Sequence, residues 1–270
     1  ENLGLVESKP QSGYYVRSRS VKILPEPEIL TLETAIRNYK NDELVSMIHE
    51  MASVKDIVSL GAGVPSEDMI LVKKMNRILK TVIKTSETAG LLYEFPPGFY
   101  KLRSEIAKRS IKWGGNISPE DIIITSGAVE AIILSLRAVG NPGDTIITES
   151  PTFYMLLQII KNLGMKILEL PTHPRDGISI DTLAKAVKEH KVAACVLYPT
   201  LNSPLGSVMP NDARIKLYQL LVKENIPLIE GDVWGELHFN SPHPKPVKAL
   251  DEKGLVLYFS SFTKTGAPGY

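Results

Sequence analysis

From residue 121 onward, short apolar runs alternate with segments whose apolar positions recur every three or four residues. The runs Ile122–Thr125, Thr145–Thr148, Lys166–Leu170, Val192–Leu197, Pro227–Glu230 and Leu255–Phe259 predict strands. The intervening segments Gly127–Val139, Phe153–Leu163, Asp181–Glu189 and Asp212–Glu224 predict helices, the third capped by Asp181. Strands that are apolar throughout, separated by helices, indicate a mostly parallel sheet covered on both faces, an α/β fold of three layers.

The first half is less regular. Leu5–Lys9 and Tyr14–Arg17 have strand composition, and Pro10 to Gly13 supply a turn, so a hairpin is predicted. Residues 18–32, with Pro25 and Pro27, read as a linker, followed by a helical segment over 33–52. The apolar stub Ile57–Leu60 then runs into a loop holding Gly61, Gly63 and Pro65. Helical spacing returns over 69–86, where Ile70, Met75, Ile78, Leu79, Val82 and Ile83 share a face, and again over 100–113. Tyr93-Glu94-Phe95-Pro96-Pro97-Gly98 breaks the chain between them.

Composition narrows this picture without redirecting it. The chain has 270 residues, 43% hydrophobic and 23% charged, with a net charge of +1, enough length and apolar content for a large core. That charge balance implies no strong attraction to polyanions. The single cysteine, Cys195, lies inside an apolar run, so a core position and a reducing cytoplasm are expected. No apolar stretch reaches membrane-spanning length, no signal peptide opens the chain, and the five histidines lack metal-ligand spacing. The chain begins within an element and ends directly after a glycine-rich loop, so both ends read as cut.

Candidate chemistry gathers at the predicted strand ends. Lys264 follows the last strand within Ser260-Ser261-Phe262-Thr263-Lys264-Thr265-Gly266, where open α/β sheets bind ligands. A desolvated lysine can form a Schiff base with a carbonyl. Ser126 and Gly127 join a strand to a helix whose first amides could seat a phosphate. Phe153 could stack on a planar ring. The loop Tyr198-Pro199-Thr200-Leu201-Asn202-Ser203-Pro204-Leu205-Gly206 has a shape fixed by its prolines and glycine, and Glu230-Gly231-Asp232-Val233-Trp234 brings acids to another strand end. Each signal alone reads as an ordinary turn, loop or core residue.

Taken in order, these motifs resemble the fold type I pyridoxal-phosphate enzymes. The match extends to the MocR-type regulators, in which a GntR-type winged helix is fused to an aminotransferase class I/II domain. Leu-Gly-Leu-Val followed by Pro-x-Ser-Gly-Tyr-Tyr-Val at the start resembles the wing that closes such a winged helix. The resemblance implies a wing remnant over 1–17, a linker and leading helix over 18–45, and a large cofactor-binding domain over 46–270. It makes Lys264 the lysine that holds pyridoxal phosphate as an aldimine. Ser126, Gly127, Ala128 and Ser261 would hold the phosphate, and Phe153 would stack on the ring. Tyr93 would reach a phosphate across a homodimer interface, and Gly63 would lie near the carboxylate of an amino acid substrate or effector. DNA would be bound only through a winged helix preceding residue 1. The family's two anion-binding arginines would fall beyond residue 270, so the chain as it stands is expected to have little or no activity.

Three positions depart from the family pattern. Ser203 stands where an asparagine usually bonds the ring hydroxyl, with Asn202 one residue earlier. Gly231 stands where an aspartate usually meets the ring nitrogen, and Trp234 where a tyrosine usually bonds the ring oxygen. Asp232 remains a candidate cofactor contact, although alternation along the strand turns it to the other face. Without the usual acid the ring nitrogen is harder to keep protonated. These departures weigh toward a regulator rather than a stand-alone class I/II aminotransferase, which is the alternative.

Overall fold

In a computed structural model, the described residues are 6–16, 25–26, 28–29, 36–37, 42–52, 54, 61, 63–86, 88, 91–239, 243–266 and 268–269. The linker over 18–32 and the stub Ile57–Leu60 fall largely or wholly outside them.

The predicted hairpin is formed by β1 (Val6–Lys9) and β2 (Gly13–Val16), paired antiparallel with Val6 opposite Val16. A two-residue strand, β3 (Ile36–Arg37), precedes α1 (Asp42–Ala52). Then come α2 (Val72–Thr85) and α3 (Tyr100–Ser110), the latter tightening into a 3-10 turn over Ile111–Trp113.

The second half follows the expected alternation. Its elements are α4 (Gly127–Val139), β4 (Thr145–Ser150), α5 (Tyr154–Asn162), β5 (Lys166–His173), β6 (Gly177–Ile178), α6 (Ile180–Glu189), β7 (Val192–Leu197), α7 (Asn211–Glu224), β8 (Leu228–Gly231) and β9 (Val256–Phe259). The strands form one sheet in the order β3-β5-β4-β7-β8-β9, with β6 paired to β5. The pairs from β5 to β9 are parallel, and β3 and β6 add antiparallel pairs to β5.

Alternation along these strands explains why they are apolar throughout. Ile146, Ile167, Ala194, Val196 and Ile229 face α4 and α5, where they meet Ile132, Leu136, Leu156 and Ile160. Ile147, Leu168, Cys195, Leu197 and Leu228 face α6 and α7, where they meet Leu183, Leu217 and Leu221. Both faces are therefore core, and Cys195 is buried as expected.

Three local expectations are corrected. The helical segment expected over 33–52 contains a two-residue strand at Ile36–Arg37, and its helix begins only at Asp42. Ile122–Thr125 is extended but is not a strand. No sheet strand lies beside it among the described residues, the Ile124 amide donates instead to the Pro97 carbonyl at 2.9 Å, and Ile123 is exposed. The cap of α6 is Ser179 rather than Asp181. The Ser179 hydroxyl accepts from the Thr182 amide at 3.3 Å, which leaves Asp181 as an acid in the first turn, where it suits the positive end of the helix.

Candidate active site

The strand order fixes where a ligand can enter. From β4 the chain steps to β5 on one side and returns as β7 on the other, so the order reverses at β4. The crevice beyond the carboxyl ends of β4 and β7 is the switch point of such a sheet. Parallel pairing brings the ends of β8 and β9 alongside. The loops carrying Glu149 to Phe153, Tyr198 to Gly206, Gly231 to Trp234 and Ser260 to Lys264 thus leave the sheet at the same edge.

Lys264 is half-buried. Its Nζ donates to the Gly63 carbonyl at 2.5 Å and lies 4.8 Å from the centre of the Trp234 indole. Burial holds its pKa below the ordinary lysine range, which favours the neutral amine that attacks carbonyls. Gly63 has φ +57°, and a Cβ there would stand 3.2 Å from the indole. The glycine is therefore required both by its backbone and by the close approach of Trp234. Just before the lysine, the Ser261 hydroxyl is bonded to Thr263, to its Oγ1 at 3.1 Å and from its amide at 3.3 Å.

The opening turn of α4 begins at Gly127, φ +80°, with open space where its Cβ would be. Ser126 precedes it and makes no side-chain cap, so its hydroxyl is not committed to the helix. The Ser126 amide is committed: it donates to the carboxylate of Glu130. Ala128 is half-buried against the α4–α5 core, and so is Phe153, whose ring lies 5.2 Å from that of Tyr154.

Polar groups without partners mark the crevice. Among the described residues, Thr152 Oγ1, Tyr198 Oη and both amide atoms of Asn202 are buried and make no hydrogen bond. Native interiors rarely leave such groups unmet, so these are the atoms a ligand could satisfy. Glu149, fully buried beside them, accepts from the Tyr198 amide at 2.7 Å. Burial pushes its pKa up to about 7, and the hydrogen bond from the Tyr198 amide restrains the rise. Ser203 is half-buried in the turn closed by the Gly206 amide on the Asn202 carbonyl at 2.5 Å.

Asp232 belongs to a different cluster, on the α6–α7 side of the sheet. Its Oδ2 accepts from the Tyr258 hydroxyl at 2.8 Å, its buried Oδ1 has no partner among the described residues, and the Arg214 cation lies nearby. Buried Arg214 donates to the carbonyls of Met209, Pro199 and Lys245 and to Thr200 Oγ1, all within 2.8–2.9 Å. Glu230, pushed up to about 7 by burial, accepts the Val247 and Lys248 amides at 2.8 Å each. Tyr93 is brought to none of these groups: it is 93% exposed on the turn before α3.

The structure thus gathers Lys264, Gly63 and Trp234 by direct contact, and places Phe153, Asn202 and Ser203 on loops of the same sheet edge, while Ser126 and Gly127 open α4 and follow no strand of the sheet. Glu149, Thr152 and Tyr198 were not singled out by sequence reasoning as site groups. Only their position at strand ends, next to Phe153 and Asn202, could have raised them.

A sheet of this order with a lysine at the end of its last strand defines a fold type I large domain. The chain belongs to the aminotransferase class I and II family, whose profile matches residues 55–269. The cofactor of this family is pyridoxal phosphate, and a half-buried amine and unmet buried polar atoms suit it. The chain is 36% identical over its whole length to the uncharacterized HTH-type transcriptional regulator YdcR of Escherichia coli (strain K12), covering 57% of that protein. It is 31% identical to aromatic-amino-acid aminotransferase 1 of Thermococcus litoralis, over 82% of this chain and 54% of the relative. A crystal structure of Pyrococcus horikoshii kynurenine aminotransferase, complexed with PMP, superposes with TM-score 0.75 at 31% identity, over 86% of this chain and 58% of that one. The chain therefore carries the aminotransferase-like domain common to these regulators and enzymes, and spans a little over half the length of each. Among the described residues no helix is long and apolar enough to cross a membrane.

Proposed function

We propose that this chain is the pyridoxal-phosphate-binding part of a GntR/MocR-type cytoplasmic transcription regulator, with the cofactor held covalently on Lys264 and an amino acid or amine as the effector. The observation that carries this reading is Lys264 itself, a half-buried amine of lowered pKa at the end of β9. Ser126, Gly127, Ala128 and Ser261 are the proposed phosphate contacts, Phe153 the ring contact, and Asn202 or Ser203 the partner of the ring hydroxyl. When bound, the cofactor supplies an electron sink for charge developing beside an amino group. The chain's own groups orient it, keep water from Lys264, and let that lysine carry a proton. Exposed Tyr93 suits a homodimer in which it serves the other subunit's site, and the hairpin of β1 and β2 suits the end of a DNA-binding wing.

The test is spectroscopic. The purified protein mixed with pyridoxal phosphate should absorb near the visible edge, and borohydride should fix the cofactor to the peptide bearing Lys264. Lys264→Ala should lose both signals, and wild-type protein without them would overturn the reading. The regulator part requires a helix-turn-helix encoded upstream of Glu1, and upstream sequence without one would remove it.

A stand-alone aminotransferase is the second reading, favoured by the likeness to the Thermococcus and Pyrococcus proteins. Steady turnover of an amino acid with a keto acid, at rates typical of enzymes, would establish it over the first.

A further inference from the structure

Residue 231 stands where the family pattern places the acid that meets the cofactor's ring nitrogen. Gly231 ends β8 on the α4–α5 side, the side of Ile229. A Cβ there would overlap Cε1 of Tyr198 and stand 2.7 Å from Cζ of Phe259. The two rings meet edge to face with centroids 6.0 Å apart, and both are buried. The space an aspartate would need is therefore filled by aromatic carbon, so the glycine is part of a packed arrangement rather than a simple loss of a side chain.

The other carboxylates at this strand end lie on the opposite side of the sheet. Asp232 is held there by Tyr258 through Oδ2, with Oδ1 unpartnered among the described residues, and Glu230 by two backbone amides on that same side. Glu149 has its carboxylate on the Tyr198 amide. A pyridine nitrogen packed against aromatic rings, with no carboxylate to pair with its proton, has its charged form disfavoured.

We propose that Tyr198 and Phe259, packed over Gly231, keep the ring nitrogen of the bound cofactor unprotonated, so that the site retains an amino compound without driving its transamination. This rests on cofactor binding at Lys264. Tyr198 is a positioning residue here: it acts by occupying the place of an acid.

The experiment uses pyridoxal phosphate isotope-labelled at the ring nitrogen, bound to the protein and observed by nitrogen NMR near neutral pH. The expected signal is that of a neutral pyridine. A Gly231→Asp, Tyr198→Ala double variant, which supplies the acid and removes the nearer of the two rings so that only the far edge of Phe259 must shift, should move the signal to the pyridinium range. A pyridinium signal from the wild type would overturn the proposal, and its loss in Asp232→Asn would hand the role to Asp232. A double variant that folds and binds cofactor but keeps a neutral signal would also overturn it, because the ring nitrogen would then not face residue 231. Binding with a pyridinium signal would sink this proposal alone, whereas absence of any bound cofactor would sink it together with the function proposed above.

Discussion

Lys264 and Gly63, 201 positions apart in the chain, are joined by a hydrogen bond from the amine to the glycine carbonyl, with the Trp234 ring closing the contact. The loop before α2 is thereby held against the end of the sheet. Gly63→Ala would introduce both a strained positive φ and a Cβ 3.2 Å from the indole. We expect a loss of roughly 1–2 kcal/mol, the usual cost of left-handed backbone for a residue with a Cβ. It should be read as a lower urea midpoint at unchanged slope, accompanied by slower cofactor capture.

Trp234 shields Lys264 from water, and burial is what lowers that lysine's pKa. In Trp234→Ala the amine should return toward ordinary lysine behaviour, leaving less neutral amine near pH 8. Capture of pyridoxal phosphate, followed by absorbance, should slow there, and the difference should vanish at a pH above the free-lysine value. Equal rates across that range would show that the indole plays no part in activating the amine.

Glu130 occupies the Ser126 amide at the start of α4. A phosphate arriving at the same helix end would meet that negative charge. Glu130→Gln should tighten cofactor binding about two- to fivefold, the range of a single charge at a helix terminus. The gain should shrink in high salt. Titration of absorbance at low and high ionic strength checks it.

Glu149 has its folded-state pKa raised from an ordinary carboxylate value to about 7. The folded protein therefore holds a proton that the unfolded chain releases at lower pH. Stability from this group is present in full below the unfolded value, falls as pH rises toward 7, and is level above it. Between pH 5 and 6.5, Glu149→Gln should remove about 1.4 kcal/mol per pH unit of this downward slope. Denaturation curves at several pH values measure the difference.

Arg214 is the only cation inside the cluster of Glu230 and Asp232 that the described residues place fully in the core. Arg214→Met would strand three carbonyls and leave two buried acids without their cation. We expect a loss of about 3–5 kcal/mol. A change below 1 kcal/mol would mean that the two acids are protonated in the wild type at the pH of the measurement.

The sheet was legible because burial on both faces makes its strands apolar throughout; Val192–Leu197 keeps its expected bounds, while β4 and β5 run two or three residues further than their apolar cores. Ile122–Thr125 has the same composition but no paired strand among the described residues, and pairing is a property of the fold rather than of the run. At α6, Ser179 and Asp181 could both have capped, and the backbone angle at Ser179 decided between them. Lys264, Ser126 and Phe153 were singled out from the order of motifs, and of these the structure brings Lys264 into contact with Gly63 and Trp234. Glu149 was not, because a glutamate ordinarily sits on the surface and only the closing of β4 against the turn after β7 buries it. The filled space at Gly231 was equally hidden: its occupants come from β9 and the loop after β7, and nothing in the local sequence points to them.

Because the parallel strands release their loops at one edge, each contribution to the site comes from a separate loop on a shared frame. Under the proposed function, grip on an anion, capture of a carbonyl and control of a ring proton would thus be independent parts. One of them can be altered by a single residue at the tip of β8 while the others stand. A fold organised in this way can turn a catalyst into a receptor without rebuilding its core, and can be turned back by the same short route.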